Sequence, residues 1–353
     1  MSGRALAARA KALALEGGFD LFGIARVDAP PELAFFAEWV SRGHAGEMAY
    51  LTSQVAKRSD LRAAFPWARS VLCVGLQYDT ERPYSTAAPA NRGWISRYAW
   101  GDDYHDVMKA MLDRVVERLR AEAGPFEARA YVDTGPIAEK AWAAAAGLGA
   151  WGKNACLLHP EHGSWFFLGE IVTDLDLPAD APRPDMCGTC TACLDACPTQ
   201  ALVAPYVLDA TRCISYLTIE VKGAMPEEHR EGVGRHVFGC DICQDVCPWN
   251  RKRRHHGGAA FEPRPGAEAP DLAELADLGE EAFRERFRRS PVKRAKRRGL
   301  LRNVAVALGN AGEAGQRPVL ERLAGDDDPV VREHAAWGLR RLDQRLSSAS
   351  GSS

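Results

Sequence analysis

The sequence predicts an α+β protein built from three parts. These are a mixed α/β domain over residues 1–180, a compact cysteine-rich module over 181–255 and a helical segment over 256–346, with a disordered tail at 347–353. Two observations carry that division. Eight of the ten cysteines lie between Cys187 and Cys247, leaving only Cys73 and Cys156 outside. Strand-like and helix-like patterns mix before that block, and only helical spacing follows it. At 353 residues the chain has the length of two or more domains, and 46% hydrophobic with 26% charged residues is ordinary globular composition.

Arg4–Glu16 is rich in Ala and Leu and stops at Gly17-Gly18, a helix with a glycine end. Ser70–Tyr78 (SVLCVGLQY) is apolar enough for a central strand, and Phe126–Asp133 (FEARAYVD) and Trp165–Thr173 (WFFLGEIVT) read as two more. Asp103–Ala123 spaces Met108, Leu112, Val115 and Leu119 along one helical face. Pro178–Pro184 reads as a linker, and His255–Pro270 as an exposed connection rich in Gly, Pro and Ala. Leu300–Leu308, Pro318–Leu323 and Pro329–Leu342 then predict short helices, the last two forming a HEAT-like hairpin. One such repeat is too few to stand alone, so it is expected to pack on the body.

The N-terminus lacks the shape of a signal peptide, and the longest apolar run, Ala141–Trp151, is too short and glycine-broken to span a bilayer. A reducing cytoplasm is the expected compartment, and there clustered cysteines bind metal and do not pair as disulfides. Cys187-x2-Cys190-x2-Cys193-x3-Cys197-Pro198 is the bacterial ferredoxin run. Cys213, followed by Cys240-x2-Cys243-x3-Cys247-Pro248, repeats it with the first spacing stretched to 26 residues. In two-cluster modules the fourth cysteine of a run ligates the other cluster. The expected partition is therefore Cys187, Cys190, Cys193 and Cys247 on one [4Fe–4S] cluster, with Cys197, Cys213, Cys240 and Cys243 on the second. The competing reading is a pair of four-cysteine zinc sites, which rarely use consecutive x2 steps ending in Cys-Pro. Cys73 and Cys156 are expected to be core thiols.

Two motifs in the first part fail on context. Gly147-Leu-Gly149-Ala-Trp-Gly152-Lys153-Asn154 fits G-x-G-x-x-G but follows an Ala-rich helical stretch where a nucleotide loop needs a strand. Asp103-Tyr-His105 starts like the D-x-H-x-x-G signature of histidine-ligated corrinoids, but Met108 stands where the glycine should be. In Tyr131-Val-Asp133-Thr-Gly135-Pro136, Asp133 ends an apolar strand. Desolvation there would raise its pKa and make it a proton donor, or it caps a turn.

These pieces together resemble the epoxyqueuosine reductases. The stretches Ile95–His105, Tyr131–Leu177, the whole cysteine module, LLRNVAVALGNAG and PVVREHAAWGL carry the likeness, which covers nearly the entire chain. The resemblance implies a cytoplasmic enzyme that reduces epoxyqueuosine to queuosine at the wobble position of a tRNA anticodon. It implies two [4Fe–4S] clusters, a cobalamin without a histidine ligand held by the first domain, and Asp133 as the catalytic proton donor. By position in the matching segments, Arg58, Tyr98, Asp133, Asn154, His159, Ile171, Ser215, Asp241 and Ile242 are the expected cobalamin contacts, with Tyr98 toward the metal. A flavodoxin- or ferredoxin-type electron donor and a monomer complete the picture.

Charge adds a further expectation. The formal net charge is −2, yet Arg284–Arg302 holds ten Lys or Arg against the single acid Glu285, a local +9 opposed by −11 elsewhere. Arg294, Lys296, Arg297, Arg298 and Arg302 are thus expected to neutralise tRNA phosphates. Two alternatives stand beside this reading, a corrinoid reductive dehalogenase and a two-cluster electron carrier. The missing export signal counts against the first, and the 180-residue leading domain, which a carrier does not need, against the second.

Overall fold

The computed structural model describes residues 2–28, 30–251 and 257–350. At its centre lies a four-stranded antiparallel sheet of β1 (Leu21–Arg26), β2 (Ser70–Gln77), β3 (Ala128–Tyr131) and β4 (Phe166–Thr173), in the spatial order β1-β2-β4-β3. All eight residues of β2 are buried, as a near-continuous apolar run sandwiched on both faces requires. One face packs under α1 (Gly3–Glu16) and α2 (Tyr104–Ala123), which contribute Leu6, Leu13, Met108, Leu112, Val115 and Leu119 to a shared core. The other face is covered by α3 (Glu139–Ala145) and by Leu33, Leu61 and Phe65. Strand β3 is shorter than the sequence suggests. Val132 and Asp133 leave the sheet, and Asp133 turns with φ 59°. Register sets Glu170 of β4 between Cys73 of β2 and Tyr131 of β3, two residues before Asp133.

The cysteine-rich module is stitched to this body by a parallel pairing of His236–Phe238 with Trp94–Ile95. The C-terminal helices α4 (Lys296–Ala311), α5 (Arg317–Leu323) and α6 (Pro329–Ser350) are longer than the apolar spacing alone marks. Every residue from Gly299 to Asn310 is buried. Helices α4 and α6 cross at Gly309 and Gly338, where a Cβ on Gly309 would lie 2.7 Å from the Gly338 Cα. Their core continues through Ile95, Trp100, Val237 and Phe238, so the helices pack on the body. The expected tail is corrected in part: residues 347–350 continue α6, because a long anchored helix extends through Ala and Ser at little cost. Residues 351–353 and the expected boundary at 255/256 lie outside the described residues. Among the described residues no helix is long and apolar enough to cross a membrane.

One basic residue is corrected here. Arg302 is 1% exposed, so it does not belong to a phosphate-binding surface. Its position on α4 points inward, and its guanidinium donates to the carbonyls of Leu217, Val221 and Gly223 and to the Asn303 side chain. Burial brings its pKa down to about 10, still charged at neutral pH. The next residue, Asn303, donates to the Thr218 and Val237 carbonyls. The pair clamps the short helix Ile214–Ile219 behind Cys213. Arg302→Leu leaves several buried carbonyls without donors and should cost about 3 kcal/mol or more, read as a lower denaturant midpoint of the cluster-loaded protein. An unchanged midpoint would remove the clamp role.

Candidate active site and cysteine pockets

Asp133 sits where β3 opens toward α3. Gly135 follows so closely that a Cβ there would meet the Tyr131 ring at 2.7 Å, which fixes the path of the loop. The Asp133 side chain is ringed by protein yet 47% exposed, the condition of a group on the floor of a recess. Its Oδ2 is 3.3 Å from His105 Nε2 and accepts from the Tyr104 hydroxyl at 3.3 Å. His105 Nδ1 lies 2.7 Å from Asp103 Oδ1, so the imidazole bridges two carboxylates. Asp103 is itself the N-cap of α2 and pairs with Lys293 at 2.7 Å.

Electrostatics follow from these contacts. Burial lowers the pKa of His105, but hydrogen bonds and charge from Asp103 and Asp133 outweigh it and raise it to about 9. Burial raises that of Asp133, but the His105 cation, Arg294 and Tyr104 outweigh it and bring it below the ordinary carboxylate value. The expectation of a raised Asp133 pKa is therefore wrong in sign. Strand-end desolvation is real but loses to a cation in contact.

Arg58, Tyr98, Tyr50 and Arg294 lie near enough to Asp133 to interact with it by charge, as Asp241 and Glu220 do with Tyr98. Arg58 is buried, donates to the Ile137 carbonyl at 2.6 Å, and leaves its Nε without a partner. Tyr98 packs edge-on to Tyr104, with ring centroids 6.2 Å apart. Asp241 accepts from the Ser96 hydroxyl and the Arg97 N–H. Thus Arg58 and Tyr98 both feel the charge of Asp133, and Asp241 acts on Tyr98, so four of the expected cofactor contacts lie in one neighbourhood.

The other five do different things. Asn154 is buried, donates to the Cys243 carbonyl at 3.2 Å and accepts from the Cys156 N–H, so it braces the module. Ser215 hydrogen-bonds the Cys213 sulfur, and the Ile242 N–H that of Cys240. His159 accepts from the Glu161 and His162 N–H groups and lies 3.0 Å from Arg183; burial first, then Arg183, bring its pKa down to about 3. Ile171 is 2% exposed and its side chain belongs to the core beneath α2, because strand alternation sends its neighbour Glu170 to the other face.

Sequence reasoning missed three side chains. The D-x-H pattern presents His105 only as a cobalt ligand, whereas it contacts Asp133 directly. Glu139 accepts a hydrogen bond from the Asp133 N–H, and wholly buried Glu170 stands behind it. The signal for Glu170 was present: a lone carboxylate inside the apolar run WFFLGEIVT.

The cysteines gather in two groups. Cys187, Cys190, Cys193 and Cys247 line one pocket together with Lys153, Asn154, Pro248 and Trp249. Cys197, Cys213, Cys240 and Cys243 neighbour one another in a second group. Backbone N–H groups point at sulfur in both, from Lys153 to Cys187 at 3.4 Å and from Ala201 to Cys197 at 3.3 Å. Among the described residues, no three His, Cys, Asp or Glu side chains are drawn close enough for a single metal ion. Cys73 is fully buried in β2, as a core thiol should be. Cys156 departs from that expectation, being only partly buried and hydrogen-bonded to Cys243.

In the basic strip, Arg294 pairs with Glu220, Arg297 with Asp326 and Arg298 with Asp328, all within 2.8 Å. Lys296 is exposed. Much of the +9 is therefore met by acids from distant sequence.

Comparison with known proteins agrees with this geometry. Residues 186–250 match the family model of a 4Fe-4S double cluster binding domain. Residues 58–134 match the model described as "Epoxyqueuosine reductase QueG, DUF1730". The chain is 46% identical to an epoxyqueuosine reductase of Pseudomonas aeruginosa, covering 92% of this chain and 91% of the relative. It is 43% identical to one of Xanthomonas campestris, covering 94% and 95%. A solved epoxyqueuosine reductase with an epoxyqueuosine-modified tRNA stem loop superposes with a TM-score of 0.87 at 32% identity, covering 98% of this chain and 93% of that one. Another, from Bacillus subtilis, has its catalytic aspartate loop swung out of the active site; the TM-score is 0.85 at 32% identity, over 98% and 94%.

Proposed function

The chain belongs to the epoxyqueuosine reductase family, and from that membership we propose that it reduces epoxyqueuosine to queuosine at the wobble position of a tRNA anticodon. The single observation that carries the chemistry is Asp133, half open beside Tyr98, which also feels the charge of Asp241, the neighbour of the cluster cysteine Cys240. A proton source and an electron source thus lie in one neighbourhood. Opening the epoxide and losing its oxygen as water takes two electrons and two protons.

Two [4Fe–4S] clusters fit the two cysteine groups, with Cys247 completing the first and Cys197 the second. The residues beside Asp133 fit a cobalamin: the partnerless Nε of buried Arg58 wants an acceptor such as a corrin amide, and Tyr98 and Asp241 offer further polar contacts. When bound and reduced, cobalamin supplies the electron pair that breaks the carbon–oxygen bond. The chain's own residues manage the proton. The His105 imidazolium holds it against Asp133 in the resting state. As negative charge grows on the departing oxygen, the proton passes from His105 through the Asp133 carboxyl to that oxygen, and a second proton taken up from solvent follows the same route to release water. Lys296, with the open sides of Arg294 and Arg298, would contact tRNA phosphates; Arg297, tied to Asp326, contributes less. The cofactor is held in a cytoplasmic enzyme reduced by an external flavodoxin- or ferredoxin-type donor and acting as a monomer.

The test is turnover of an anticodon stem-loop bearing epoxyqueuosine by the cluster-loaded protein, with and without cobalamin. Queuosine should form only when cobalamin is present. Product without cobalamin would overturn the assignment of the recess, and no product in either arm would overturn the reaction.

A further inference from the structure

Behind Asp133 lies a pair of carboxyls that the reaction does not use directly. Glu170 is 0% exposed in the centre of β4, and neither of its side-chain oxygens has a donor from the protein. Its carboxyl faces that of Glu139, and Glu139 in turn accepts from the Asp133 N–H. Two ionised carboxylates cannot sit in contact in a desolvated site, whereas two carboxyls sharing one proton make a strong hydrogen bond. That proton is the donor the Glu170 oxygens lack. We propose that Glu170 and Glu139 share a single proton, and that the resulting pair holds the Asp133 loop in its left-handed turn through the Asp133 N–H.

The chain of contacts runs Glu170 O–H to Glu139 carboxylate, and Asp133 N–H to that same carboxylate. Glu139 is then a singly charged acceptor with a donor on each side. A non-glycine residue at φ 59° needs such an external hold, because the left-handed region is disfavoured for L-residues. Glu170 acts only through Glu139 and is a positioning residue. Groups facing the pair are Arg58 from the helix Val55–Ser59, Cys73 from β2, Tyr104 from α2 and Asp133 itself. Burial first, then the Asp133 charge, raise the Glu139 pKa to about 7, and burial with the Glu139 charge raises that of Glu170 well above the usual carboxylate range. Both shifts agree with one proton retained at neutral pH.

The inference rests on Asp133 being the proton donor, so its test uses two readouts that need no turnover. Infrared spectra in D2O at neutral pH should show a protonated-carboxyl band in the cluster-loaded protein that is missing from Glu170→Gln. Amide exchange over residues 132–135 should quicken about tenfold in Glu139→Ala, yet stay near wild type in Glu139→Gln and Glu170→Gln, whose amides keep the hydrogen bonds. Iron–sulfur absorbance confirms folding of each variant. An infrared difference without the acid band, or unchanged exchange in Glu139→Ala, would overturn the pair. If both readouts behave as expected while Asp133→Asn turns over substrate at the full rate, the pair stands and the donor role of Asp133 falls.

Discussion

Asp133→Asn, loaded with cobalamin and both clusters, should bind the epoxyqueuosine stem-loop with nearly unchanged affinity and turn it over about 10²- to 10⁴-fold more slowly, the usual range for losing a general acid. Asparagine keeps the size of the side chain and can still touch Tyr104 and His105, but it cannot pass the His105 proton on. The variant therefore isolates proton delivery from packing, and single-turnover kinetics reads it directly. Full single-turnover rate in this variant would refute the donor role. The pH dependence of the wild type carries the complementary signature. The His105–Asp133 ion pair needs His105 protonated, and its folded pKa near 9 stands above the ordinary 6.5. Its contribution is complete below about 6.5 and is lost as pH rises through about 9. In His105→Asn that alkaline limb should vanish while Asp133 drifts back toward an ordinary carboxylate.

That signature was not legible in the sequence. Local patterns were: the periodicity of Met108, Leu112, Val115 and Leu119 gave α2, the run SVLCVGLQY gave the central strand, and the cysteine spacings gave the module. Each is written within a few residues, so propensity and spacing suffice. What failed depended on partners remote in sequence. Asp133 was expected to be desolvated and weakly acidic because nothing local announces His105, 28 residues earlier. The basic strip read as a free cationic face because its neutralising acids, Asp326 and Asp328, lie about 30 residues on. Arg302 looked like its neighbours until the helix turned it inward onto the Leu217, Val221 and Gly223 carbonyls. Glu170 is the intermediate case. Its strand position was plain, and its burial followed from the strand being central, but its partner Glu139 emerges only from tertiary packing.

The crossed arrangement of cysteines makes the second large prediction. If each run served its own cluster, Cys247→Ala would resemble Cys240→Ala, since both belong to the second run. In the structure Cys247 instead lines the pocket of Cys187, Cys190 and Cys193. Cys247→Ala should therefore match Cys187→Ala in its electron paramagnetic resonance spectrum, and Cys197→Ala should match Cys240→Ala. Each variant should lose or degrade one cluster and keep the other, because a cubane lacking one of four thiolates is poorly held. Function separates the groups further. Cys190 is exposed, whereas Cys240 stands beside Asp241 at the recess. On the proposed function, electrons from a protein donor would enter at the first group and leave from the second. Cys187→Ala and Cys247→Ala should abolish turnover driven by a flavodoxin or ferredoxin yet retain part of that driven by a small chemical reductant able to reach the recess. Cys197→Ala and Cys240→Ala should be inactive with the protein donor and strongly impaired with the small one. Should Cys247→Ala pair spectroscopically with Cys240→Ala, the crossing is wrong, and with it the direction of the wire.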